Sequence, residues 1–199
     1  MIERALASVN VLTNEHYINR DTFKLFKVHG SVHWPREVDT EIENIKERNV
    51  WDVASELIKR IADLKVSERY RMVVDTHPIS KVDEIPLFPA IAIPVETKRD
   101  FECPADHLDC LRAHLKNVSH ILLIGWRSTE AHFLALLRDG LAGRAVPVQV
   151  VAGKKKSADE ILARMHDAGI THLPPFGSAV DGGFTEYVVS REAEKFLAK

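Results

Sequence analysis

The stretch Ile121-Leu122-Leu123-Ile124-Gly125 is a continuous apolar run closed by a glycine, and Val146 to Val151 is a second such run. Runs of this kind suit strands of a parallel sheet that helices bury on both faces. Between them, residues 129–141 place Phe133, Leu134, Leu136, Leu137 and Leu141 at helical spacing. After the second run, Ser157-Ala158-Asp159-Glu160 has the form of a capping box, with Ser at the N-cap and Glu at N3, ahead of Ile161, Leu162 and Met165. Gly169 then stands where a helix C-cap glycine belongs. Strand, helix, strand, helix with buried strands predicts an α/β fold: a mainly parallel, Rossmann-like sheet flanked by helices.

Working outward, Pro104 opens a helix with Leu108, Leu111 and Leu115 on one stripe, proline being favoured at a first helical position. Ile91-Ala92-Ile93-Pro94 is a short apolar strand limited by its proline. Tyr70 to Val74 reads as another strand. Val50, Ala54, Leu57, Ile58, Ile61 and Leu64 follow the helical period, which predicts a helix over at least 50–64 within a helical insertion spanning about 39–64. Residues 23–29 alternate and are apolar on both sides, which predicts a buried strand ending at His29-Gly30. Residues 2–8 and 190–198 complete the reading as short terminal helices of a single α/β domain over 1–199.

The chain has 199 residues, 45% of them apolar and 28% charged, enough for a sizeable core without disulfides or metals. Lys+Arg number 27 and Asp+Glu 29, a net charge of −2. No overall basic field exists to collect nucleic acid, which is not expected as a partner. Two cysteines exclude a disulfide-stapled secreted scaffold and point to a reducing compartment, so a cytoplasmic location is expected. No apolar run reaches membrane-spanning length, and Met1-Ile2-Glu3-Arg4-Ala5-Leu6 has no signal-peptide core.

In an open parallel sheet, ligands bind beyond the carboxyl ends of the strands. Three predicted ends carry glycine: His29-Gly30-Ser31, Gly125-Trp126-Arg127-Ser128 and Ala152-Gly153-Lys154. Glycine permits positive φ and close approach of a ligand to the backbone. Ser128 or Thr129 can cap the next helix, whose N-terminus favours an anion, and Arg127 adds a positive charge. Either these groups hold a phosphate or nucleotide, or the glycines simply turn the chain from strand to helix. His29 is either a base, with an ordinary pKa of about 6.5, or a structural histidine beside a turn. Trp34 and Trp126 are aromatic walls or packing, and Lys154-Lys155-Lys156 meets phosphates or solvent. The histidines show no metal-ligand spacing, so no metal site is expected, and Cys103 and Cys110 read as structural thiols.

The segment Phe26-Lys27-Val28-His29-Gly30-Ser31-Val32-His33-Trp34 resembles the "K-L-H-G-S-I-x-W" segment of SIR2-like, sirtuin-related domains, particularly their zinc-less bacterial branch. His120-Ile121-Leu122-Leu123-Ile124-Gly125-Trp126-Arg127-Ser128-Thr129-Glu130-Ala131-His132-Phe133 is similar to that family's "i-l-i-i-G-Y/W-S-x-x-E-x-D/H". Ile91-Ala92-Ile93-Pro94 and Ile2-Glu3-Arg4-Ala5-Leu6 match further segments in order, so the resemblance covers roughly residues 2–170. It implies NAD as ligand and NAD hydrolysis to ADP-ribose and nicotinamide as activity. His29 would be the base, Gly30 and Ser31 its neighbours at the ligand, Gly125, Trp126, Arg127 and Ser128 the nicotinamide-side phosphate and ribose contacts, and Gly153 the adenosine end. The family's "G-A-G-x-S" loop and the Asn of its "T-x-N-Y-D" strand would precede Met1 and occur nowhere in the chain. The expectation is therefore a partial SIR2-like domain that alone is weakly active, or one completed by a second copy or a partner chain. The alternative is a non-catalytic assembly or sensing module. A zinc-dependent deacylase is set aside because the Cys-x-x-Cys pairs are missing.

Overall fold

The computed structural model describes residues 14–39, 42, 44–72, 80–82, 85–91, 100–173 and 183–198. The expected helix at 2–8, the end of the strand expected at 70–74, and Ala92-Ile93-Pro94 lie outside them. The chain forms two compact units: residues 1–93 with 101–110, and residues 94–100 with 111–199.

In the first unit, β1 (Gly30–Asp39), β2 (Lys65–Tyr70), β3 (Ser80–Val82) and β4 (Ile85–Ile91) form a four-stranded sheet in the order β2-β1-β4-β3. Every pairing in it is antiparallel, so the mainly parallel sheet expected from the sequence does not extend here. The strand expected at 23–29 is also displaced: the ladder begins at Gly30, and Gly30 N–H donates to the Lys27 carbonyl in a turn. His29 therefore precedes its strand instead of ending it. Pro35 and Pro89 face each other between β1 and β4, and neither can donate to the ladder; the register shifts between Ser31 and Pro35. β2 likewise lies earlier than the strand expected from Tyr70 onward, pairing Asp39 with Lys65 and Arg36 with Tyr70.

Helix α1 (Val50–Lys59) joins β1 to β2. The Asn49 side chain caps it by accepting from Trp51 N–H at 2.8 Å. The helix stops at Lys59, short of the expected 64, and the chain leaves it in turns in which Asp63 N–H donates to the Arg60 carbonyl. Val53 and Leu57 pack with Val38, Ile42 and Ile45 in one core. A second core gathers Tyr17, Ile18 and Trp34, with Cys103 and Cys110 packed against it and not joined in a disulfide.

In the second unit, β5 (Ile121–Ile124), β6 (Val146–Val151) and β7 (His172–Leu173) form a parallel sheet in that order. Helix α3 (Ala131–Leu141) connects β5 to β6, and α4 (Lys155–Asp167) connects β6 to β7. Leu134, Leu137 and Leu141 of α3 and Ile161, Leu162 and Met165 of α4 pack on Leu123, Val148 and Val150. α4 starts directly after Gly153, with Lys154 at its N-cap, so Ser157 lies inside the helix and the expected capping box does not form. Its end is as expected: Gly169 has φ +82, its N–H bonds the His166 carbonyl, and Ile170 N–H bonds the Met165 carbonyl. That pair of bonds is the Schellman closure. Helix α2 (Ala105–Leu115) is divided between the units after Cys110, and its last carbonyls are bonded by Arg144, through Nη2 to Leu115 and Nη1 to Val118.

Two short helices, α5 (Gly183–Val189) and α6 (Glu192–Leu197), follow where one was expected. The Tyr187 hydroxyl of α5 donates to Oε1 of Gln149, which is buried in the middle of β6, at 2.6 Å. Tyr187→Phe is expected to cost about 1–2 kcal/mol in urea unfolding, because a buried polar pairing is lost. Burial, with the Glu192 carboxylate adding to it, holds the Tyr187 pKa above the ordinary phenol value. The native state then holds this proton more tightly than the unfolded chain. Its contribution to stability is complete below pH of about 10 and falls as pH rises further, a decline that the Phe variant should lack.

Candidate functional site

The parallel register sets Ile124 beside Val151, so the glycine after each strand emerges at the same edge of the sheet. Among the described residues, a Cβ built on either Gly125 or Gly153 would meet nothing within 4 Å. Gly125 has φ +70 and so serves the turn. Gly153 does not have a positive φ, and its described neighbour is Gly183, on which a Cβ would lie 3.9 Å from the Gly153 Cα. Beside them Arg127, Lys154, Lys155 and Lys156 are exposed, and α3 and α4 begin here with their N–H groups toward this edge. An edge with bare backbone, helix N-termini and cationic side chains is chemically suited to a phosphate-bearing ligand.

The turn from β5 into α3 is built by specific contacts. Trp126 Nε1 donates to Oε1 of Glu130 at 3.0 Å, and the indole meets the Phe133 ring edge-on at 5.2 Å. Arg164 Nη1 of α4 holds the Arg127 carbonyl at 2.9 Å. Ser128 adopts φ 55, uncommon for a non-glycine residue, and is buried; no described residue supplies a hydrogen-bond partner for its Oγ. Glu130 is buried at the N-cap of α3, with Oε2 3.9 Å from Nε2 of His132. Buried Ser, Glu and His side chains at a strand end form a polar cluster in an otherwise apolar unit, which is where ligand chemistry concentrates. The sequence reading singled out Ser128 and matched Glu130 and His132 to the family's pattern, with His132 a candidate to line a pocket; that Glu130 is buried only the fold reveals.

The remaining expected residues belong to the first unit. His29 sits in the turn before β1, with Nδ1 buried. Ser31 is buried, and its Oγ accepts from Lys27 Nζ at 3.2 Å and His33 N–H at 3.3 Å. Gly30 is demanded by packing: φ is +79, and a Cβ there would lie 1.9 Å from the Ala90 carbonyl oxygen. Trp34 packs in the core, edge-on to Tyr17 at 5.2 Å and to His107 at 5.0 Å, and is not a wall of an open site. The structure thus groups Gly125, Trp126, Arg127, Ser128 and Gly153 at one sheet edge, and His29, Gly30 and Ser31 at the start of β1.

A feature missed in the sequence is a cavity of about 260 Å³ in the first unit, between α1 and the sheet. Arg36, which lines it, donates through Nη1 to Oε1 of Glu102 at 3.1 Å and through Nε to the Ser67 carbonyl at 2.6 Å. The Tyr70 hydroxyl donates to the same Glu102 oxygen at 2.8 Å. Burial, that hydrogen bond and the Glu102 charge raise the Tyr70 pKa, against a smaller lowering by Arg36, so the phenol stays protonated. The inward-facing Arg36 was hidden by the expectation that the strand had already ended.

Among the described residues, no group of three or more His, Cys, Asp or Glu side chains is placed to hold a metal ion, and no helix is long and apolar enough to cross a membrane. Compared with protein-family models, with curated proteins and with solved structures, the chain matches none.

Proposed function

We propose that the chain is a SIR2-like, NAD-binding protein whose β5-β6-β7 layer is the Rossmann-like part of the domain. NAD or ADP-ribose would lie across the carboxyl ends of β5 and β6. The observation that carries this reading is the pair of neighbouring glycines, Gly125 and Gly153, whose Cβ positions meet no described residue, beside two helix starts. Backbone without side chains there lets a pyrophosphate approach the N–H groups, and Arg127 and Lys154 supply counter-charge. The buried, unpaired Oγ of Ser128 fits the same reading as a ribose or phosphate contact. In NAD hydrolysis the bond between nicotinamide and ribose breaks and water takes the ADP-ribosyl group. By resemblance, His29 is the base that takes a ribose hydroxyl proton.

Calorimetric titration with ADP-ribose and NAD tests the binding. Both should bind, and Gly153→Leu should weaken both at least tenfold while leaving the fold intact, since its side chain enters the space the ligand needs. If neither nucleotide binds, the reading fails. Nicotinamide release from NAD should fall about 100-fold in His29→Ala, the ordinary contribution of a general base. The alternative, a non-catalytic sensing module, draws on one observation: His29 lies in the turn before β1 with Nδ1 buried. Nucleotide binding with no nicotinamide release would select it.

A further inference from the structure

The cavity of the first unit has an apolar body and a polar end. Leu57 of α1, Val38 of β1, and Phe88 and Ala90 of β4 line the body. Arg36 and Glu102 close the end, both about four-fifths buried. Ile58 and Ile61, 61% and 70% exposed, stand at the rim with the half-exposed Val66. Well-packed interiors leave few voids larger than a water molecule. An apolar cavity of about 150 Å³ takes benzene, so one of 260 Å³ has room for a ring and a short polar arm.

The polar end restricts what that arm can be. Arg36 and Glu102 are paired, so the end carries no net charge. A carboxylate entering would be brought beside Glu102 and an ammonium beside Arg36, each losing its water. The pair is nonetheless incompletely used. Arg36 spends Nε and Nη1 on Ser67 and Glu102, and among the described residues none takes its Nη2 hydrogens. Glu102 receives both Arg36 and Tyr70 on Oε1, which leaves Oε2 as an acceptor. One donor and one acceptor side by side are answered together by an amide, through its carbonyl and its N–H. We propose that this cavity binds a small uncharged molecule with an apolar, ring-sized body and an amide head, held by Arg36 and Glu102. The site belongs to the first unit and does not depend on nucleotide binding by the second.

Methyl NMR of the full chain, reading Leu57, Ile58 and Ile61, tests this with three probes of one shape: 3-phenylpropanamide, 3-phenylpropanoate and 3-phenylpropylamine. The amide should shift these methyls saturably in the millimolar range, at least tenfold more tightly than the acid or the amine. Val66→Phe, which occludes the rim from an edge strand without touching the core, should abolish the shifts. Ala90→Leu, which fills the body, should do the same in spectra that also show whether it is folded. The proposal is overturned if the amide shows no saturation by about 10 mM, if all three probes bind alike, or if Val66→Phe binds as the parent does.

Discussion

Gly30→Ala is expected to destabilise the first unit by roughly 2–5 kcal/mol. Two costs combine. At φ +79 an L side chain is strained by about 1–2 kcal/mol. The new Cβ would also lie 1.9 Å from the Ala90 carbonyl oxygen and 2.7 Å from its carbon. Both neighbours are backbone of the paired strand, so relief requires opening the β1–β4 ladder where Gly30 faces Ile91. Forced overpacking of this kind costs typically 1–3 kcal/mol. The comparison that gives the prediction its edge is Gly153→Ala, where no described residue meets the new Cβ and φ is not positive, so the change should stay below about 0.5 kcal/mol. Urea unfolding in a Trp126→Phe background leaves Trp34 and Trp51, both in the first unit, as reporters for the Gly30 variant, and circular dichroism serves for Gly153. Equal effects at the two glycines would refute the distinction between a packing glycine and an open one.

Trp34→Ala should cost about 4 kcal/mol, the scale of a fully buried large aromatic. Trp34 is 0% exposed and is the hub on which Tyr17 and His107 both pack edge-on. The Lys27 ammonium lies 5.6 Å from its ring centroid and 5.1 Å from that of Tyr17. Removing the indole therefore opens a cavity and also takes away one of two aromatic faces over a cation. Trp34→Phe separates these from the indole N–H. No acceptor for Nε1 is present among the described residues, so that variant should cost no more than about 1.5 kcal/mol. Hydrogen exchange of the β1 and β4 amides would measure both; a Phe variant as damaging as the Ala one would show that the N–H matters after all.

How far the sequence could be read follows from what each unit asks of its strands. The second unit was legible because β5 and β6 are buried by helices on a parallel sheet, which demands the uninterrupted apolar runs 121–124 and 146–151. The same parallel pairing is why Gly125 and Gly153 could be placed together from spacing alone. The first unit hid its central strand. β1 carries Pro35, Arg36 and Glu37 in its middle, a composition that argues against a strand. Pro35 is tolerated because the register breaks beside it, and Arg36 because Glu102 returns from 66 residues away to meet it. Conversely, the alternation at 23–29 imitates a strand, while Leu25 N–H actually bonds the Tyr17 carbonyl outside any ladder. Non-local pairing of this kind leaves no local periodicity to find.

The return of residues 101–110 to the first unit has a consequence for how the protein is made. Synthesis delivers β1 through β4 before Glu102 exists, so on the ribosome the emerging sheet holds Arg36 at the cavity, and Tyr70 at the end of β2, without the carboxylate both bond. A guanidinium about four-fifths buried and lacking its counter-ion is costly, and the cost is lifted only when the start of α2 arrives. The antiparallel sheet cannot then be completed as a finished fold ahead of the residues that begin the second unit. The nascent chain is tied to a late docking step, and a gene truncated anywhere before residue 101 should yield a sheet whose Arg36 lacks its carboxylate.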